Sequence, residues 1–203
     1  MKPTSQESSQ RPAKRGMTFV AAMATAVGLS LAWSAQAAIN LVNNGSFETG
    51  DFTGWTQTGN TTFNGVQCPG PGPTVAQGNC SAFFGPVGSI GGITQNLSLV
   101  VGNHYFLTFA FLPDGGNPSS FSASIGGVSL VSLTNPAASA TFRNFGFAFT
   151  ATAATEALAF NFRDDPGFLF LDAVSASVPE PASVGLLGIA LAAMFAGLRR
   201  RIR

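Results

Sequence analysis

No lysine occurs after Lys14, a single histidine serves the whole chain, and cysteine appears only twice. Each scarcity removes a class of function. Without lysine there is no Schiff-base nucleophile and no phosphate-loop cation beyond Lys14, so Gly85-Pro86-Val87-Gly88 through Gly92 is not a phosphate cradle. The lone imidazole, His104, stands at a turn-to-strand junction with no G-x-S-x-G phrase to serve, which leaves a serine triad without its parts. Glycoside hydrolysis needs two carboxyls roughly 5 to 10 Å apart in a cleft. Asp164 and Asp165 are neighbours that point to opposite faces of an extended chain, and with Pro166-Gly167 they spell a turn. No catalytic residue is therefore assigned, and a small secreted hydrolase stays the minor alternative.

Positive charge is scarce where it would matter most. The formal net charge of +1 conceals two basic ends around a middle, residues 38–178, that has only Arg143 and Arg163. Against them stand Glu48, Asp51, Asp114, Glu156, Asp164, Asp165 and Asp172, a formal charge of −5. Such a surface cannot neutralise phosphates, which excludes nucleic acid as a partner.

The basic ends flank apolar runs. Arg11, Lys14 and Arg15 precede Met17 to Trp33, and Ala35-Gln36-Ala37 supplies the small-x-small pattern of a signal-peptidase site. Residues 1–37 are thus expected to be a signal peptide, helical while it crosses the membrane and cut after Ala37; a retained anchor is the alternative. At the other end Pro179-Glu180-Pro181 leads into an uncharged run, residues 182–198, followed by Arg199, Arg200, Arg201 and Arg203. As a helix that run would rise about 25 Å, close to the roughly 30 Å of a bilayer core. The arginines would hold its end in the cytoplasm and leave the middle of the chain outside. This order of features over residues 178–203 resembles the PEP-CTERM sorting signal of bacteria. The resemblance implies an exosortase that recognises Pro179, Glu180 and Pro181, cuts nearby, and passes the protein from the inner membrane of a Gram-negative-type cell to its surface or extracellular matrix. A plain anchor is the alternative.

The middle alternates with period two. Tyr105, Leu107, Phe109 and Phe111 would share one strand face, as would Phe145, Phe147 and Phe149, and Leu158, Phe160 and Phe162. Residues 168–174 form a last strand. Pro113-Asp114-Gly115-Gly116, Gly126-Gly127, Asn135-Pro136 and Asp164 to Gly167 mark turns. About eight or nine strands follow, an all-β sandwich in one domain, residues 38–178. Residues 66–79 form a Pro- and Gly-rich loop bracketed by Cys68 and Cys80, for which an oxidising destination favours a disulfide over two free thiols or a metal pair.

The opening phrase Asn44-Gly45-Ser46-Phe47-Glu48, then Gly50 to Gly54-Trp55, and the closing Leu171-Asp172-Ala173-Val174 resemble the first and last strands of jelly-roll domains of the carbohydrate-binding-module type. The resemblance implies that these strands are neighbours and that a structural calcium ion sits between Glu48 and Asp172, with carbonyls completing roughly six to eight oxygens. Ala173 departs from the second aspartate of that phrase, and solvated or capping carboxylates are the alternative. Such modules bind sugar on aromatic rings. Trp55 and Tyr105 are the candidates, with core packing as their alternative, because the middle of the chain has no other Trp or Tyr. The expected function is a non-catalytic surface or biofilm-matrix protein associated with extracellular polysaccharide; a module for one defined glycan is the alternative.

Overall fold

A computed structural model describes residues 39–69 and 74–179. Their regular structure is ten strands, with no α-helix among the described residues: β1 Thr56–Gly59, β2 Asn64–Gln67, β3 Ser81–Phe84, β4 Gly91–Ser98, β5 His104–Leu112, β6 Ser119–Ile125, β7 Val128–Thr134, β8 Arg143–Thr150, β9 Thr155–Asp164 and β10 Leu169–Ser177. They form two five-stranded antiparallel sheets, ordered β1-β4-β9-β6-β7 and β2-β3-β10-β5-β8. This is a jelly-roll sandwich. The count exceeds expectation because β1 and β2 are short and polar, with nothing in their composition that alternates.

The alternation read from the sequence is what joins the sheets. Phe160 and Phe162 on β9, Phe121 on β6, Phe84 on β3 and Phe109 and Phe111 on β5 are all wholly buried. Their rings meet across the interface: Phe84 stacks on Phe162 at 3.8 Å between centroids, and Phe111 on Phe121 at 4.0 Å. Phenylalanine suits this layer, since each ring buries a large apolar area without a polar tip to satisfy.

The opening and closing segments lie side by side. Leu41 N–H donates to Ala176 O and Val174 N–H to Gly45 O, each at 2.8 Å, while Asn40 closes the seam with both ends of its amide. Gly45 is there because a Cβ would overlap the Val174 carbonyl. An extra residue between Asp172 and Ser175, with Ala173 at φ 51°, makes a bulge in β10. The insertion resets the parity of the strand, so Val174 and Ala176 point inward as Leu169 and Leu171 do before it.

Candidate functional site

Cys68 and Cys80 form the disulfide expected of them, and the loop it closes lies over Asp172. Asp172 is wholly buried. Its Oδ2 accepts N–H groups from Ala76 and Gln77 at 2.7 and 2.8 Å, and its Oδ1 accepts the N–H of Ala173 at 2.6 Å. Glu48 Oε1 accepts the N–H groups of Asn79 and Cys80, each at 2.9 Å. Burial pushes the Asp172 carboxyl above its ordinary range; the three amides pull against this, and the nearby Glu48 charge adds to it.

The two carboxylates are thus brought to one loop, as the resemblance implies, but what meets them is amide hydrogen. A calcium ion needs oxygens at those positions. Gly78 packs so closely on the Glu48 carboxylate that a Cβ would overlap it. In this arrangement Glu48 and Asp172 act as two capping carboxylates that hold the loop.

Trp55 and Tyr105 are core residues, not sugar platforms. Trp55 is 7% exposed, packs on Phe47 and Phe160, and donates its indole N–H to Asn44 O. Tyr105 is 3% exposed, stacks on Phe149, and its hydroxyl accepts the N–H of Val100. Tyr105 faces inward with Leu107 and Phe109 by simple alternation, and the Trp55 indole completes the cluster begun by Phe47. Each polar tip is satisfied internally, so neither ring has a face to offer.

Sequence reasoning missed three exposed rings, Phe63, Phe106 and Phe168, of which Phe106 lies on the outer face of β5. It alternates outward between Tyr105 and Leu107, is 42% exposed, and lies across Gly146 of β8, where a side chain would collide with it. Its register partner on β10 is Ser177, and Thr108 pairs with Ser175, so hydroxyls border the ring. The outer face of the other sheet carries Thr94, Asn96, Asn161, Ser120 and Ser122 and no aromatic ring. Outward alternation of a phenylalanine in an otherwise apolar strand was the available signal.

His104 is the exposed first residue of β5 and shares a 2.9 Å hydrogen bond with Thr150. The reading of Asp164-Asp165 as a turn holds for Asp165 alone, whose carboxylate accepts from Gly88 N–H and Arg163. Asp164 is instead the last residue of β9. It faces inward by the same alternation as Phe160 and Phe162, and is wholly buried.

The last strand ends at Ser177, and Val178 is 47% exposed. Pro179 is the final described residue; Glu180, Pro181, the arginine cluster, the apolar run before it and residues 1–37 lie outside the described residues.

This architecture is a jelly-roll β-sandwich. It is similar to a CBM61 module solved with β-1,4-galactotriose (TM-score 0.59, 18% identity, 68% of this chain and 98% of that one). It is also similar to a xylan-binding CBM22 domain (0.51, 16%, 70% and 97%) and to a Stig cyclase from Fischerella sp. TAU (0.51, 20%, 70% and 98%). At these identities the likeness shows the fold alone, and the fold serves both binding modules and cyclases. No curated protein matches the sequence. Residues 177–201 match the PEP-CTERM protein-sorting motif, so the chain carries the sorting signal of an exported, exosortase-processed protein at the end of its jelly roll.

Proposed function

We propose that the protein is a non-catalytic component of the cell surface or exopolysaccharide matrix, delivered whole by exosortase processing and retained there by polysaccharide contact at the Phe106 face. The observation that carries this reading is the boundary at Ser177. The sorting motif begins on the last residue of β10, so a cut at or beyond Val178 removes no residue of any strand. Because β10 lies at the centre of its sheet, a cut within it would destroy the fold; the motif is placed to spare it. Signal peptidase acts first, at Ala37, and the arginine tail keeps the uncut protein in the inner membrane of a Gram-negative-type cell.

Phe106 supports the second half of the reading. A flat ring bordered by Thr108, Ser175 and Ser177 offers an apolar surface to the C–H face of a sugar and hydroxyls to its edge. The test has two arms. Glu180→Ala in an exosortase-bearing host should leave the uncut precursor in the membrane fraction, while the wild type appears shortened at the surface. Equal processing of the two would refute the sorting role. Separately, Phe106→Ala should reduce cosedimentation with the host's exopolysaccharide about tenfold with an unchanged melting temperature, on the order of 1 kcal/mol for one exposed stacking ring. Retention equal to wild type would remove this face as the contact.

A further inference from the structure

The ends of β5 and β9 bring together two carboxylates that have no cation. Asp164 is 0% exposed, and neither of its oxygens has a hydrogen-bond partner. Asp114, in the loop after β5, faces it; its Oδ1 accepts Gly116 N–H at 2.8 Å and its Oδ2 accepts Phe168 N–H at 2.9 Å. The nearby charged side chains do not compensate Asp164. Asp165 is a third negative charge and engages Arg163 at 2.8 Å, while Arg143, beside the Asp114 loop, donates to the Ala137 and Ala138 carbonyls. The loop of residues 85–90 contributes no titratable group. Burial and the Asp114 charge push the Asp164 carboxyl up to about 7, the signature of a pair that cannot both ionise unaided.

Two glycines make room for this pair. A Cβ on Gly116 would overlap Asp164 Oδ1 and stand 3.2 Å from the Pro166 carbonyl oxygen. A Cβ on Gly167 would overlap Asp114 Oδ2 and stand 3.0 Å from Asp164 Oδ2. Carboxylate and carbonyl oxygens from the β5–β6 loop and the β9–β10 turn therefore converge on these two glycines, with Asp164 buried and Asp114 exposed.

We propose that Asp114 and Asp164 form a calcium site that ties these two loops together, with backbone carbonyls such as that of Pro166 among the remaining ligands. The donor set is all oxygen, which selects a hard cation. Calcium tolerates the irregular, carbonyl-rich surroundings that magnesium does not, and weak modules of this kind are filled at extracellular concentrations of roughly 0.1 to 1 mM. The site is distinct from the Glu48 and Asp172 pair, which holds the disulfide-closed loop.

The purified full-length protein, stripped with a chelator and titrated with calcium chloride alone at neutral pH, should bind one ion per chain by calorimetry. Its melting temperature should rise by about 5 °C at roughly tenfold excess over Kd. Asp164→Asn should weaken binding at least tenfold and remove the thermal shift; Asp114→Asn, at an exposed position, should do the same and serves if Asp164→Asn fails to fold. Glu48→Gln should bind as the wild type does. No heat and no shift in the wild type would leave the pair as an acid and carboxylate sharing a proton, and overturn the site. So would calcium binding that survives both aspartate substitutions, or that is lost in Glu48→Gln.

Discussion

Phe160→Ala should lower the unfolding free energy by about 3 to 5 kcal/mol, a large share of the roughly 5 to 15 kcal/mol that holds a domain of this kind. Phe160 is wholly buried at the middle of β9, and its ring touches Trp55, Phe109 and Phe121 at centroid distances of 6.0, 5.1 and 6.3 Å. Those three neighbours come from the opening segment, β5 and β6, so truncation opens a cavity where both sheets and the first loop meet. The backbone cannot collapse into it, because β9 is paired along both edges, to β4 and to β6. Urea denaturation should show a midpoint shifted without a change of slope, and heating a melting temperature lowered on the order of 10 °C. A loss below about 1 kcal/mol, the range of a surface substitution, would mean that the ring layer is not the structural centre.

Replacing Cys68 and Cys80 together by serine should cost about 3 kcal/mol, since the bond closes a loop with a sequence separation of 12 residues. The cost has a local component as well. The loop's remaining hold is the pair of carboxylates, with four N–H groups from Ala76, Gln77, Asn79 and Cys80 seated on Asp172 and Glu48. Without the disulfide those bonds must order an untethered segment, and the buried Asp172 charge is uncovered when they open. Proteinase K should therefore cut the double variant between residues 68 and 80 under conditions where the oxidised wild type resists, and reductant should give the wild type the same behaviour. An equal melting temperature for variant and wild type would show that the carboxylate caps alone hold the loop.

Much of the sandwich was legible because alternation is a local property. Tyr105, Leu107, Phe109 and Phe111, and Leu158, Phe160 and Phe162, declare their inward faces from sequence spacing, and the structure buries each of them, while Phe145, Phe147 and Phe149 are half-buried against the same core. The opening phrase was legible in a different way: Gly45, Phe47 and Trp55 are tied to close packing against Val174 and against one another, which leaves little freedom in residue type. The short β1 and β2 carry no such pattern, and only pairing with β4 and β3 makes them strands.

The site was less legible for a related reason. A carboxylate's role depends on which groups reach it from distant parts of the chain. Glu48 and Asp172 both reach the loop 74–80, but which backbone groups that loop presents to them is a matter of backbone orientation. Asp164 had the composition of a turn. Its parity with Phe160 and Phe162 sends it inward, and Asp114, 50 positions earlier, meets it only because β5 and β9 end on the same side of the sandwich.

By itself, then, the sequence determined the destination, the fold class and the disulfide. A sorting signal is recognised as a contiguous segment, strand faces follow from neighbours two residues apart, and only one pairing of two cysteines exists. The tertiary structure alone decided that Trp55 and Tyr105 are core, that Phe106 is an outward ring, and that the exposed Asp114 meets the buried Asp164. Each of those outcomes depends on which face of which sheet is covered, and covering is done by residues far away in the chain.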